Sequence, residues 1–468
     1  MHIVIVWAGW SWISNLAHII RDLGYTNLIA IDGFESQITR ALENKGIPVK
    51  IGHGNYEIKE DDIVIYSEAV KDSPEVQSAF KLKKEKHLPL KIWNYFEFLW
   101  ELSKYFRTVW IAGTNGKSSS TALAIVTWRE LIPDLGLWIV WALVPDLGNM
   151  SYYLKNDKIP EFRQLFDFIF SGKKLPYELI KKYYFFLEAC EYKRHFLHLD
   201  LEYLLITNME LDHTDYYKDW EDYRSAFLAM NTNTKKETLV LEVSENNTVN
   251  TDFSWFKNIK TLPITHHNLD HVWGKHTDCN ASLVLWLFQV LRPELSKEVI
   301  ESVMKPFKGI WRRLEYLGEI SPWVKLFSDY GHIASSLVLW YHTLKERFPD
   351  KKIIWVFQPH QIRRVLAWWD EFKEALSLFD ERIIYSIYAA REPLESFKDE
   401  KLFQEHHFEN LHAFWSYFAE CMHAEYLDVF DDFKKRILEL AKKDSIIAIF
   451  TAWDLDFQIR TSDLIEQR

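Results

Sequence analysis

Short apolar runs without polar interruption recur along the 468-residue chain, each closed at its C-terminal end by polar residues. Runs apolar at every position predict strands buried on both faces, the mark of parallel sheets covered by helices. The first is IVIV at 3–6, followed by an amphipathic helix over 13–23 and a strand over 28–31 that ends at Asp32. The run at 63–66 leads into Ser67, and Pro74 opens a helix. The run at 109–112 meets a glycine loop and then a helix over 118–128. Runs at 184–187 and 203–207 end in Glu188-Ala-Cys-Glu191-Tyr192 and in Asn208 with Leu211-Asp212-His213. Beyond a link at 307–313, four more strand-like runs begin at 324, 353, 383 and 446, two of them interrupted by Lys325 and Ser386. They end in Asp329-Tyr-Gly-His332, Gln358-Pro-His360, Tyr388-Ala-Ala-Arg391-Glu392 and Thr-Ala-Trp453-Asp454. Strand and helix in alternation predict an α/β fold of open, mainly parallel sheets, with ligand crevices at the strand C-termini. The stretch 135–149 reads as turn-rich, 152–183 as peripheral, and the Lys-rich 80–91 as a solvated helix face.

Composition narrows the class. The length suggests about three domains, and the pattern divides them as 1–105, 106–308 and 309–468. The net charge of −11 argues against a nucleic-acid partner. Cys190, Cys279 and Cys421 form no metal spacing and suit a reducing compartment. The MHIVIV start has no basic n-region, and no window approaches a membrane span. A cytoplasmic protein without a membrane partner, a monomer or homodimer, is expected.

The stretch Gly113-Thr114-Asn115-Gly116-Lys117-Ser118-Ser119 supplies the first chemistry. A glycine loop between strand and helix presents backbone N–H groups and the positive helix end to an anion. Lys117 is placed for the outer phosphates and the Ser118 hydroxyl for Mg²⁺. The match to the GxxxxGK[ST] form is incomplete, because Ile111 stands at its first glycine. Glu188, Asp212 and His213 follow strands beside this loop, as hard ligands for a phosphate-bound Mg²⁺ would. For either carboxylate, a helix N-cap or surface charge is the alternative.

The amino-terminal strand, turn, helix and strand ending at Asp32 have the order of a dinucleotide fingerprint. Trp7 and Trp12 stand at two of its three glycines, with Gly9 at the other and Trp10 between them. Indoles there would bar a backbone approach to pyrophosphate and a left-handed turn. The chain holds 15 Gly and 21 Trp, where average usage gives roughly 33 Gly.

Seven segments in order, GTNGKSSS at 113–120, EACEY at 188–192, TNMELDHTDYY at 207–217, FKGIWRR at 307–313, DYGH at 329–332, FQPHQ at 357–361 and IYAARE at 387–392, resemble the Mur ligase family over nearly the whole chain. The resemblance implies a Rossmann-like UDP-substrate domain, a central ATPase domain and a Rossmann-like amino-acid domain. It implies an ATP-dependent ligase that phosphorylates a carboxylate and gives the acyl phosphate to an amine. The last two segments point to family members using UDP-N-acetylmuramate as the acid and L-alanine as the amine. A recycling member attaching a tripeptide is the alternative; a folate-polyglutamate ligase is disfavoured. By position in these segments, Lys117 would neutralise phosphate, Ser118 and Glu188 hold Mg²⁺, His213 hold a second Mg²⁺, and Asn280 meet adenine. Arg313 and Asp329 would close over ATP. His332, His360 and Arg391 would lie near the alanine or acyl phosphate, and Trp7, Gly9, Trp10, Trp12, Asp32 and Ser67 at the UDP substrate.

The chain departs from the family at Cys190, commonly Asp, and at Ile333-Ala334, commonly His-Pro. Asn115 replaces a common His. These departures, with the literal tryptophans, support a third reading, a nucleotide-binding relative without ligase activity. Trp7, Trp10, Trp12, Trp100, Trp141, Trp323, Trp415 and Trp453 fall where the family has glycine, and Trp110 can be added. The expectation is that many are UGA codons read as glycine by the organism and written as Trp.

Overall fold

A computed structural model describes residues 2–465 apart from 10, 86–89, 133–135, 155, 199, 214–215, 242–252, 254, 322, 332, 360, 387–393, 443 and 452–453. The apolar runs form three sheets. The first contains β1 (Ile3–Val6), β2 (Leu28–Asp32), β3 (Val49–Ile51), β4 (Ile63–Tyr66) and β5 (Lys91–Asn94), in the order β3-β2-β1-β4-β5. Every pairing is parallel, and all four residues of β1 are buried. Strand order reverses between β1 and β4, so a crevice opens beyond their C-terminal ends.

The second sheet contains β6 (Arg107–Ala112), β7 (Leu137–Val144), β8 (Met150–Leu154), β9 (Tyr184–Glu188), β10 (Tyr203–Ile206), β11 (Glu237–Leu241) and β12 (Ile259–Leu262). Its order is β12-β11-β10-β6-β9-β7-β8, with only β8 antiparallel to its neighbour. The third contains β13 (Glu315–Ser321), β14 (Val324–Asp329), β15 (Lys352–Gln358), β16 (Glu381–Tyr385), β17 (Glu425–Leu427) and β18 (Ser445–Thr451). Its order is β13-β14-β18-β15-β16-β17, with β13 antiparallel at the edge.

The chain divides into two compact units: Met1–Val272 with His276–Ile310, and Trp273–Lys275 with Trp311–Arg468. Both amino-terminal sheets lie in the first unit. One apolar core joins them, running from Ile3, Leu16 and Phe98 through Phe162 and Phe166 to Phe106 and Phe185. Polar bonds fasten the same contact. Asn15 is buried and donates to the carbonyls of Val140 (3.1 Å) and Ser151 (3.2 Å). The Tyr25 hydroxyl donates to Asp167 at 2.8 Å, beneath the Arg163 guanidinium.

Two expectations are corrected here. The stretch 135–149 contains the eight-residue strand β7, because LWIVWALV is a continuous apolar run whose flanking turn residues obscure it. The stretch 152–183 is not peripheral. Its helix Ile159–Ser171 buries Phe162, Leu165, Phe166, Ile169 and Phe170, and Phe166 and Phe170 pack on Phe98. Its charged positions face the other way, a common amphipathic arrangement. Among the described residues no helix is long and apolar enough to cross a membrane.

Candidate active site

The phosphate loop lies between β6 and the helix Lys117–Leu131. Gly113 (φ +133°) and Gly116 (φ +84°) take conformations that side chains rarely adopt. Space also demands glycine at both. A Cβ on Gly113 would stand 2.1 Å from Thr207 Oγ1, and one on Gly116 2.5 Å from Asn280 Oδ1. Asn280, on the helix Lys275–Leu291, therefore lies against the loop. The loop is held from below by β10's end: Asn115 N donates to Asn208 Oδ1 (2.9 Å), and Asn208 Nδ2 donates to the Asn115 carbonyl (2.9 Å). Thr114 Oγ1 reaches the Glu210 carbonyl and the Tyr223 hydroxyl, both at 2.7 Å.

The catalytic candidates gather at this loop. Lys117 Nζ donates to the Thr114 carbonyl and to both oxygens of Glu191, each at 3.1 Å. Ser118 Oγ donates to Glu188 Oε1 at 2.8 Å, while Glu188 Oε2 accepts from Trp141 N at 3.2 Å. His213 Nε2 lies 3.5 Å from Glu191 Oε1 and 3.9 Å from Asp212 Oδ2. Its φ is +53°, a left-handed conformation held by the bond from its own N–H to Asp212 Oδ1 (2.7 Å). Glu191, Asp212 and His213 each offer one ligand atom within 4.8 Å of the others.

Electrostatics tie these groups together. Burial pushes the Glu191 carboxyl up, but the Lys117 ammonium and His213 outweigh it and leave its pKa below the usual value. Burial likewise pushes Lys117 down, and Glu191 more than restores it, so its pKa is raised. The pair stays ionised in a buried setting. Burial and the neighbouring Glu191 push the Cys190 thiol well above its usual range, so it is a neutral thiol beside the carboxylates.

The amino-terminal candidates meet at the crevice of the first sheet. Asp32 ends β2, is buried, and accepts from Gly9 N (2.7 Å) and Phe34 N (3.1 Å). Ser67 follows β4 and is also buried. Trp7 follows β1 with φ +74°, and its ring stacks on His53 at 6.1 Å. Trp12 packs on Tyr95, Phe96 and Trp141 at 5.4–5.6 Å. Through Trp141, whose N–H meets Glu188, this turn reaches the phosphate-loop site.

In the second unit Asp329 ends β14, is buried, and accepts from Leu314 N (2.7 Å) and Gly331 N (2.5 Å). Burial raises its pKa against the pull of Arg313. Arg313 lies over the Tyr330 ring at 5.4 Å. At the neighbouring strand ends Gln358 donates to Asp454 (2.8 Å) and accepts from Thr451 (2.5 Å). Trp10, His332, His360 and Arg391 lie outside the described residues.

Sequence reasoning did not see Glu191 as the partner of Lys117, and gave no role to Thr207 and Asn208 under the loop. The spacing Glu188-x-x-Glu191 could have revealed Glu191: β9 ends at the first carboxylate, which faces Ser118, and the following turn brings the second to Lys117. His53 and Glu75, 3.3 Å apart beside Trp7, carried no signal in the sequence.

No family model matches the sequence. Among solved structures it is similar to UDP-N-acetylmuramate–alanine ligase from Thermotoga maritima, with TM-score 0.70 and 20% identity over 98% of this chain and 97% of that one. A murein peptide ligase from Psychrobacter arcticus gives TM-score 0.63 and 17% identity over 100% and 99%. The three mainly parallel sheets and the phosphate loop thus follow the fold of these ligases, and over nearly its whole length the chain is similar to curated ligases, consistent with an ATP-dependent ligase that forms C–N bonds. Its curated relatives include UDP-N-acetylmuramate–L-alanine ligases. That of Caldicellulosiruptor saccharolyticus is 28% identical over 95% of this chain and 94% of the relative. That of Caldicellulosiruptor bescii is 29% identical over the same shares, and that of Ligilactobacillus salivarius 28% over 81% of each.

Proposed function

We propose that this chain joins L-alanine to the lactyl carboxylate of UDP-N-acetylmuramate, at the expense of ATP, in peptidoglycan precursor synthesis. The observation that carries the reading is the cluster of Lys117, Ser118, Glu188, Glu191 and His213 around a loop only glycine can form, in a chain whose curated relatives bear that name over nearly full length.

A carboxylate oxygen attacks the γ-phosphorus of ATP, and ADP leaves. The alanine amine then attacks the acyl carbon, loses a proton, and expels inorganic phosphate. Phosphoryl transfer calls mainly for placement and charge neutralisation. Lys117 supplies a fixed positive charge at the outer phosphates, and Glu191 holds it there. The loop N–H groups and the helix end bind the phosphate oxygens, and Asn280 flanks the loop toward the base.

The oxygen donors Ser118 and Glu188, and the Glu191–Asp212–His213 group, fit magnesium, a hard cation. Ser118 and Glu188 would hold one ion and His213 with its neighbours a second; bound there, Mg²⁺ neutralises phosphate charge. Trp7, Gly9, Trp10, Trp12, Asp32 and Ser67 mark the UDP end. Arg313 and Asp329 serve ATP, and His332, His360 and Arg391 serve the amine, within a carboxy-terminal domain over 309–468. Amino-terminal and central domains over 1–105 and 106–308 complete the three.

The test is ADP release by protein purified from its native cells, supplied with UDP-N-acetylmuramate and either L-alanine or the murein tripeptide. Alanine-dependent release supports the reading. Release with the tripeptide alone identifies the recycling reaction instead, and no release with either sinks both.

A further inference from the structure

The indoles fall into two physical sets. Trp110 donates its N–H to the Asp200 carbonyl at 3.0 Å and Trp286 to that of Pro263 at 3.3 Å. Both are accommodated as tryptophan. Trp128, Trp138, Trp355 and Trp415 are buried, yet their indole N–H groups have no hydrogen-bond partner among the described residues. A buried indole N–H ordinarily finds one. Trp138 also lies nearly parallel to Phe186 at 3.8 Å between centroids, closer than aromatic pairs favour.

Trp7 is the sharpest case. Its φ of +74° lies in the left-handed region, a true outlier for a bulky residue and ordinary for glycine. It occupies the first glycine of a G-x-G-x-x-G spacing that runs 7, 9, 12, with the acidic Asp32 at the end of the next strand. The one glycine of the three that is written, Gly9, donates its N–H to that Asp32. Trp12, at the third glycine of the spacing, touches Trp141 of β7 at 5.6 Å, and the Trp141 backbone N–H donates to Glu188. Trp7 packs with the core on one face of the first sheet, and Trp12 and Trp141 with the core on the other.

We propose that Trp7, Trp12, Trp138 and Trp141 are glycine in the working protein, encoded by UGA in a lineage that reads this codon as glycine. The turn at 7–12 then brings its backbone N–H groups to an anion beside Asp32. That turn takes a nucleoside diphosphate, the pyrophosphate against its N–H groups and the ribose hydroxyls at Asp32; this assignment of the occupant rests on the function proposed above. The same exchange accounts for the composition, since it moves residues from the tryptophan excess to the glycine deficit.

Two measurements test this. Genomic sequencing of the four codons, with peptide mass mapping of protein from native cells, is expected to give UGA and glycine at each. UGG at 7 or 12, or tryptophan in the native peptides, overturns the proposal. Calorimetric titration with uridine diphosphate then compares the protein as written with a Trp7→Gly, Trp12→Gly, Trp138→Gly, Trp141→Gly variant. The variant is expected to bind at least about tenfold more tightly; equal affinity overturns the assignment of the turn to the nucleoside diphosphate. The codon result stands apart from the ligase reading. UGG with ADP release overturns this proposal alone, whereas glycine at all four positions with no ADP release defeats the ligase reading alone.

Discussion

Lys117 shows how the site is made from single residues. An ammonium pointing into a phosphate loop would lose charge to burial, and Glu191 prevents it by contacting Nζ through both carboxylate oxygens at 3.1 Å. Lys117→Ala is expected to lower kcat for ADP release by about a thousandfold or more while the circular dichroism spectrum is unchanged. A fall of less than about tenfold would remove Lys117 from phosphoryl transfer. Gly113→Ala acts by another route. The added methyl meets Thr207 Oγ1 and the backbone strains at φ +133°, so ATP affinity is lost and stability falls by about 1–3 kcal/mol. ATP titration and urea unfolding of the same variant separate the two effects.

At the level of elements, strand, loop and helix carry the phosphate site, and the helix Ser11–Asp22 carries the contact between the first two sheets. Asn15 on that helix bonds Val140 and Ser151 on β7 and β8, and its Oδ1 accepts from Ser151 Oγ. Asn15→Leu leaves these buried groups unpaired. It is expected to lower unfolding stability by about 2 kcal/mol, read as a shift of the urea midpoint; an unchanged midpoint would mean the sheets are held by the apolar core alone.

Most of this architecture was legible because parallel strands are apolar on both faces. The runs at 3–6, 63–66 and 203–206 are such strands, and each ends in chemistry. Edge strands such as β3 (VKI) and β17 (EYL) were not legible, since exposure lets polar residues in. The helix Ile159–Ser171 was hidden because its partners, Phe98 and Tyr25, lie far back in the sequence. At the site, Lys117 and Ser118 could be read from local spacing. The pairing of Lys117 with Glu191 depends on β6 and β9 being neighbours, which only the fold supplies.

For the whole molecule, two histidines of the first unit set an acid limit on stability. Burial, helped by the Lys45 ammonium, lowers the pKa of His18 to about 4 against the pull of Asp22, and burial alone lowers that of His276 to about 4. Both are neutral when folded, whereas the unfolded chain takes up their protons near pH 6.5. Between about pH 6.5 and 4 the unfolded state therefore binds more protons. Stability falls as pH falls through that window, by up to about 1.4 kcal/mol per pH unit for each histidine. Urea midpoints at pH 7 and pH 5 check this; His18→Gln with His276→Gln should flatten the difference.

The central claim is that a carboxylate is activated by phosphorylation at the Lys117 loop. UDP-N-acetylmuramate labelled with ¹⁸O in its lactyl carboxylate, turned over with ATP and L-alanine by protein from native cells, tests it directly. One labelled oxygen should appear in the inorganic phosphate, with ADP as the nucleotide product. Unlabelled phosphate, or release of AMP and pyrophosphate, would contradict the account.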